Sequence, residues 1–223
     1  MSDTPSPVRR RSGRGARERI LKAATELFTA QGVNATGMDQ LATVANVSKR
    51  TLYTHFAGKD DLVHAYLSEL EEGLLPAAPA PGESCPDPRA ELLAVFDWRP
   101  RMADGPLRGC PFLNAAVEVP DPEHPVHVLA AAYKTEFARR LTALARLAGA
   151  RDPEELGERL ALLYDGAVAR GTALNSTDPG AHARAIATAL VDAAIEGTSG
   201  GTATDGTTAD GDAVREGDPA ATA

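Results

Sequence analysis

The sequence predicts an all-α chain, and three observations carry that prediction. Apolar residues recur three and four positions apart along most of its length, with no convincing strand alternation. Helix punctuation stands where those patterns begin and end: Gly32 after the first, Ser48 before a later one, and Asp152-Pro153 and Asp178-Pro179 before the last two. After the first of these marks, two short helical patterns meet at a tight turn just before Ser48, which is the layout of a helix-turn-helix.

Taken in order, residues 1–16 lack apolar periodicity and are expected to be a disordered basic arm. Its cluster Arg9, Arg10, Arg11 and Arg14 suits a phosphate-following or minor-groove arm, and equally a solvated tail. A helix is expected over residues 16–31, with Ile20, Ala24, Leu27 and Phe28 as its inner stripe. Thr36 with Asp39 three on resembles a capping box for the next helix, whose inner residues are Met38, Leu41, Ala42 and Ala45. Asn46 takes the turn, since Asn tolerates left-handed backbone, and Ser48 caps the helix that follows.

That following helix, residues 49–56, can be turned at about 100° per residue. Leu52 and Phe56 share the inward face, Arg50, Thr51 and Thr54 point most nearly outward, and Lys49, Tyr53 and His55 lie on the flanks. The outward side is made of hydrogen-bonding groups, as a groove-reading helix requires, although many surface helices are polar outside. From Lys59 a further helix begins, with Leu62, Val63, Tyr66, Leu67 and Leu70 inward and Asp60 and Asp61 at the positive end of its dipole. It connects this region to the rest of the chain. Five prolines between residues 74 and 88 then break the pattern.

Shorter helices are expected over residues 90–99 and 106–117, and a long one over residues 126–148 carrying Leu129, Tyr133, Phe137, Leu141 and Leu144 inward. The helix opened by Asp152-Pro153 carries Leu156, Leu160, Leu163, Tyr164 and Val168 on one stripe. A last helix ends near residue 195, and residues 197–223, nearly free of large apolar groups, read as a disordered tail. The last two helices are separated by a short connection and should lie antiparallel. Ala167, Ala169, Ala183, Ala187 and Ala194 are expected on their exposed faces, where small side chains would let a second copy approach closely.

Composition bounds the function. The 223 residues are 43% hydrophobic, enough for a real core in one or two domains. No apolar run reaches the ~18 residues a membrane span needs, and no apolar stretch follows the N-terminal arginines as in a secretory leader. Two cysteines, Cys85 and Cys110, give no disulfide framework, so a cytoplasmic location is expected. The net charge is −8, but residues 1–70 carry +3 and the remainder −11. A basic front on an acidic body orients a protein on a polyanion.

The stretches RERILKAATELFTAQGVNATGMDQLA and SKRTLYTHFAGKDDL resemble the DNA-binding region of the TetR family of bacterial regulators, from about residue 17 to residue 70. The resemblance implies a three-helix helix-turn-helix DNA-binding domain over residues 17–60 and a helical ligand-binding and dimerisation domain over residues 61–196. It also implies pairing of the last two helices of two copies into a four-helix bundle, on a palindromic double-stranded operator. The partners expected are therefore DNA, a small-molecule effector and a second copy of the chain, with no membrane and no cofactor. Arg50, Thr51 and Thr54, with His55, are the base-edge candidates; Thr36, Ser48, Lys49, Tyr53 and Lys59 are the phosphate candidates.

Trp98, Cys110, Phe112, Asn114, Tyr133, Phe137 and Tyr164 gather most of the few aromatic residues of the body among some polar groups. They are candidates for an effector pocket, or plain core. Cys110 beside Arg108 suits a redox sensor or a small buried thiol. His124 and His127 near Asp121 and Glu123 invite a metal reading, but Pro125 between them and the lack of a second ligand cluster favour a solvated helix entrance. No GxSxG, HExxH, phosphate-loop or dinucleotide motif is present, so no enzyme is expected. The alternatives kept are a helical small-molecule sensor that no longer binds DNA and a small enzyme built on Cys110 or His127.

Overall fold

The computed structural model describes residues 14–77, 84–97 and 106–196. Every regular element among them is a helix: α1 (Arg14–Gln31), α2 (Met38–Val44), α3 (Lys49–His55), α4 (Lys59–Leu74), α5 (Pro88–Ala94), α6 (Pro111–Glu118), α7 (Pro125–Leu147), α8 (Pro153–Leu174) and α9 (Asp178–Glu196). Trp98, the arginines at positions 9 to 11 and the tail from residue 197 lie outside the described residues.

Local chemistry accounts for most boundaries. Gly32 (φ +91°) ends α1, donating its N–H to the Phe28 carbonyl at 3.0 Å. Asn46 (φ 50°) makes the turn between α2 and α3, and Asn175 (φ 48°) ends α8 in the same way. Ser48 caps α3, its hydroxyl accepting from the Thr51 N–H at 3.0 Å. Asp87 and Asp152 cap α5 and α8, each followed by a proline whose missing N–H costs nothing at the first helical position.

Four expectations need correcting. The helix α1 begins at Arg14, so residues 14–16 are helical rather than part of an arm. Thr36 does not cap α2: the N-cap is Gly37, without a side-chain bond. Instead the Thr36 hydroxyl turns inward and donates to the Gly32 carbonyl at 2.7 Å. The helix α6 starts at Pro111 rather than near residue 106, because Gly109 has φ +73° and Cys110, preceding a proline, is held extended. Finally, Ala183 and Ala187 are core residues, not surface.

Packing divides the labour. The helix α1 lies against α2, α3 and α4, and Ile20, Leu41, Leu52 and Leu62 are sealed completely between them. Each such side chain contributes roughly 1.5–3 kcal/mol by leaving water. In the body α7 is central, touching α8 most extensively and also α4, α5 and α6, while α9 covers α8. Gly157 lets α8 approach α7 closely, since a Cβ there would stand 2.8 Å from the Thr142 backbone nitrogen. The helix α4 spans both regions: Tyr66 meets Phe28 edge-on in the front half, and the Tyr133 hydroxyl donates to the Leu74 carbonyl at the far end.

Candidate nucleic-acid interface and effector clefts

The helix α3 is seven residues long and is held from behind. Leu52 is fully buried, Phe56 nearly so, and the Arg17 guanidinium lies 5.4 Å from the Phe56 ring centre. Outward stand Lys49, Arg50, Tyr53 and Thr54, all exposed, with Thr51 and His55 half-buried on the shoulders. Tyr53 keeps half its surface in solvent, a large aromatic that the monomer's core does not use.

Several outward groups are engaged in ways a polyanion would have to exchange. The Lys49 ammonium pairs with the Asp39 carboxylate at 2.6 Å, and that hydrogen bond raises its pKa. Lys59 donates to the Asn34 carbonyl at 3.4 Å. The Thr51 and Ser48 hydroxyls share a hydrogen bond at 2.8 Å, and Thr54 bonds back to the Arg50 carbonyl at 2.7 Å. The Arg50 guanidinium has no ion pair among the described residues. Thr36 leaves the set of phosphate candidates, because its side chain is wholly buried and its hydroxyl already serves Gly32 and Gln31.

The expected effector pocket does not form as one chamber. Phe112 and Tyr133 stack face to face with ring centres 3.7 Å apart, and the series continues through Phe137 and Tyr164 to Phe96. Phe112, Tyr133 and Phe137 are buried, and burial pushes the Tyr133 phenol well above its ordinary pKa. These rings are the body's core. Phe137 and Tyr164 also edge a cleft of about 200 Å³ against the end of α4 and α5. Cys110 and Asn114 line a separate one of about 340 Å³ between α6 and α8. Cys110 itself is buried at the start of α6.

The structure also shows contacts that spacing alone gave no sign of. Glu118, at the end of α6, accepts the Asn34 N–H at 2.5 Å through its carboxylate, and its carbonyl accepts the Asn34 side-chain amide at 3.2 Å. Asn34 belongs to the α1–α2 loop, so this clamp ties the body to the front region. A second tie joins His124 Nε2 to the Asp60 carboxylate at 3.2 Å. His124 also caps α7, and His127 donates to the Val119 carbonyl, so both imidazoles have structural partners. Among the described residues no three His, Cys, Asp or Glu side chains converge as metal ligands.

Comparison with known proteins agrees with this layout. Residues 20–66 match the family described as bacterial regulatory proteins, tetR family, and residues 88–187 match the tetracyclin repressor-like C-terminal domain. A solved TetR-family transcriptional regulator from Streptomyces coelicolor is 34% identical, covering 81% of this chain and 96% of that one with a TM-score of 0.72. The transcriptional regulator TcmR of Streptomyces glaucescens is 34% identical over 84 residues, 34% of this chain and 37% of its own length. LmrA of Bacillus subtilis is 38% identical over 82 residues, 36% of this chain and 43% of its own length. The chain thus aligns with well under half the length of these two regulators.

Proposed function

The chain belongs to the TetR family of bacterial transcriptional regulators, and from that premise we propose that it is a ligand-responsive repressor acting as a homodimer on a palindromic DNA operator. The observation that carries the reading is α3 itself. A capped helix, anchored by fully buried Leu52, offers Arg50, Tyr53 and Thr54 to solvent together. Arg50 and Thr54, with Thr51 and His55, read base edges. Ser48, Lys49, Tyr53 and Lys59 hold phosphates, which fix register without specifying sequence. Among the described residues no helix is long and apolar enough to cross a membrane, and we place the protein's action in the cytoplasm.

Dimerisation is supported by the outer faces of α8 and α9. Leu162 is 76% exposed and Ile186 51% exposed, and the small residues Gly166, Ala169, Ala185 and Ala189 stand exposed around them. Such a stripe lets two copies approach closely, and two α3 helices one DNA turn apart double the sequence read. A monomer in sedimentation at micromolar concentration would remove this part of the proposal. An effector in the body would act by favouring a dimer whose two α3 helices no longer fit successive grooves, which requires unequal affinity for the two states.

Selection of bound duplexes from a random library, near physiological salt, tests the whole. Enrichment of a palindrome is the expected result. A folded dimer that enriches nothing overturns the DNA-reading part and leaves a helical small-molecule sensor.

A further inference from the structure

We propose that the cleft between α6 and α8 binds a small carboxylate with an apolar body through Arg108, and that the bound carboxylate loosens the Glu118 clamp on the α1–α2 loop. This rests on the ligand-responsive reading and adds the site, the chemical class and the route by which binding is felt.

The cleft's chemistry selects the ligand. Leu113, Val117 and Val168 give it apolar walls, and its volume of about 340 Å³ suits a molecule of modest size. Arg108 is half-buried on its rim, yet its guanidinium makes no hydrogen bond or ion pair among the described residues. Only its backbone is tied down, its carbonyl accepting from the Asn114 amide. A partly desolvated guanidinium whose planar fork of donors is unused matches a carboxylate, which it can hold through two parallel hydrogen bonds.

The route outward follows from Glu118, which lines the same cleft. Its carboxylate and the Arg108 guanidinium both reach to 2.8 Å from where a Cβ on Gly32 would stand, yet the two form no ion pair with each other. The carboxylate is committed to the Asn34 N–H, and the Asn34 carbonyl in turn receives Lys59, one of the proposed phosphate contacts. A ligand carboxylate on Arg108 places a second negative charge beside Glu118, within a few ångströms of its carboxylate. Repulsion then weakens the Glu118–Asn34 bond and frees the loop that carries the front region. Ala169 edges both the cleft and the outward stripe of α8, so a second copy of the chain would wall the cleft on that side.

Calorimetry on the full-length protein decides the binding step, using straight-chain acids from butyrate to decanoate and benzoate, each beside its amide. At least one acid should bind, its amide at least tenfold more weakly, and Arg108→Gln should weaken the acid at least tenfold. In Glu118→Gln the acid should still bind but should no longer lower affinity for the selected operator. The proposal is overturned if no acid binds at millimolar concentration, if acid and amide bind alike, or if either variant behaves as the wild type. Should Arg108→Gln not fold, the acid–amide comparison on the unaltered chain decides alone. Failure of the duplex selection would sink the repressor reading by itself, while the calorimetry would still judge the cleft.

Discussion

In α3 the inward Leu52 and the outward Arg50, Tyr53 and Thr54 follow from turning seven residues about a helix axis. In α7 the same arithmetic correctly sends Tyr133 and Phe137 inward, yet it does not say what they meet there. They meet Phe112 and Tyr164, and a set of rings that could have lined a chamber becomes a packed ladder, stacked between Phe112 and Tyr133 and tilted from Phe137 to half-buried Tyr164. Local rules stop at the contacts between helices. A short capped helix on the outside of a small bundle exposes whatever its own sequence puts outward. A cavity in a five-helix body exists only where several helices fail to fill space together.

The largest loss of stability is expected in the body. Phe112→Ala removes a fully buried ring stacked on Tyr133 and should cost about 3–5 kcal/mol of stability in urea unfolding. If it cost less than about 1 kcal/mol, the ladder would be a collapsible pocket wall and the first expectation would be restored. Arg50→Ala should do the converse in the front region. It should leave urea unfolding unchanged, cost about 1–3 kcal/mol of operator affinity and relax preference at one base pair. Equal losses on operator and random duplex would make Arg50 a phosphate contact instead.

What was legible in the sequence follows the same division. The helical class, the Gly32 stop, the Asn46 turn and the Ser48, Asp152 and Pro153 signals act over four residues or fewer, and all recur in the structure. The Thr36 hydroxyl has two possible partners, a helix N-terminus or a buried carbonyl, and only the packing of α1 against the loop chooses between them. The Glu118–Asn34 clamp spans 84 positions of chain and leaves no periodic trace. Ala183 and Ala187 are buried although nothing local marks them so: alanine suits either side of a helix, and its identity says little about which way it faces.

A smaller effect sharpens the contrast from the side of the front region. Ser48→Ala removes the hydroxyl that accepts the Thr51 N–H and should cost about 1 kcal/mol, within the range of measured N-cap losses. Because that hydroxyl also holds Thr51 in place, operator affinity should fall along with stability. Ser48→Asp should restore the cap but not the affinity, since its charge would face phosphates. Recovery of both by Ser48→Asp would remove Ser48 from the proposed phosphate contacts.

The smallest effect belongs to Glu136 on α7, whose carboxylate accepts from Arg139 at 2.6 Å and 2.7 Å and from Arg140 at 2.8 Å. These bonds, Arg139's first, hold its pKa down at about 2 against an ordinary 4.5. A depressed carboxylate stabilises the fold fully above its unfolded value and loses that contribution as pH falls through the folded one. The loss should therefore run from about pH 4.5 down toward pH 2, and Glu136→Gln should flatten that part of the stability profile. Solvent reaches this network, so the difference at neutral pH should stay below about 1 kcal/mol. Arg140 also donates to the Pro76 carbonyl beyond α4, so the pair steadies the connection between front and body as well as α7 itself. If Glu136→Gln left the acid limb unchanged, that limb would have to come from other carboxylates, with the Asp192–Arg89 pair joining α9 to α5 as the next to substitute.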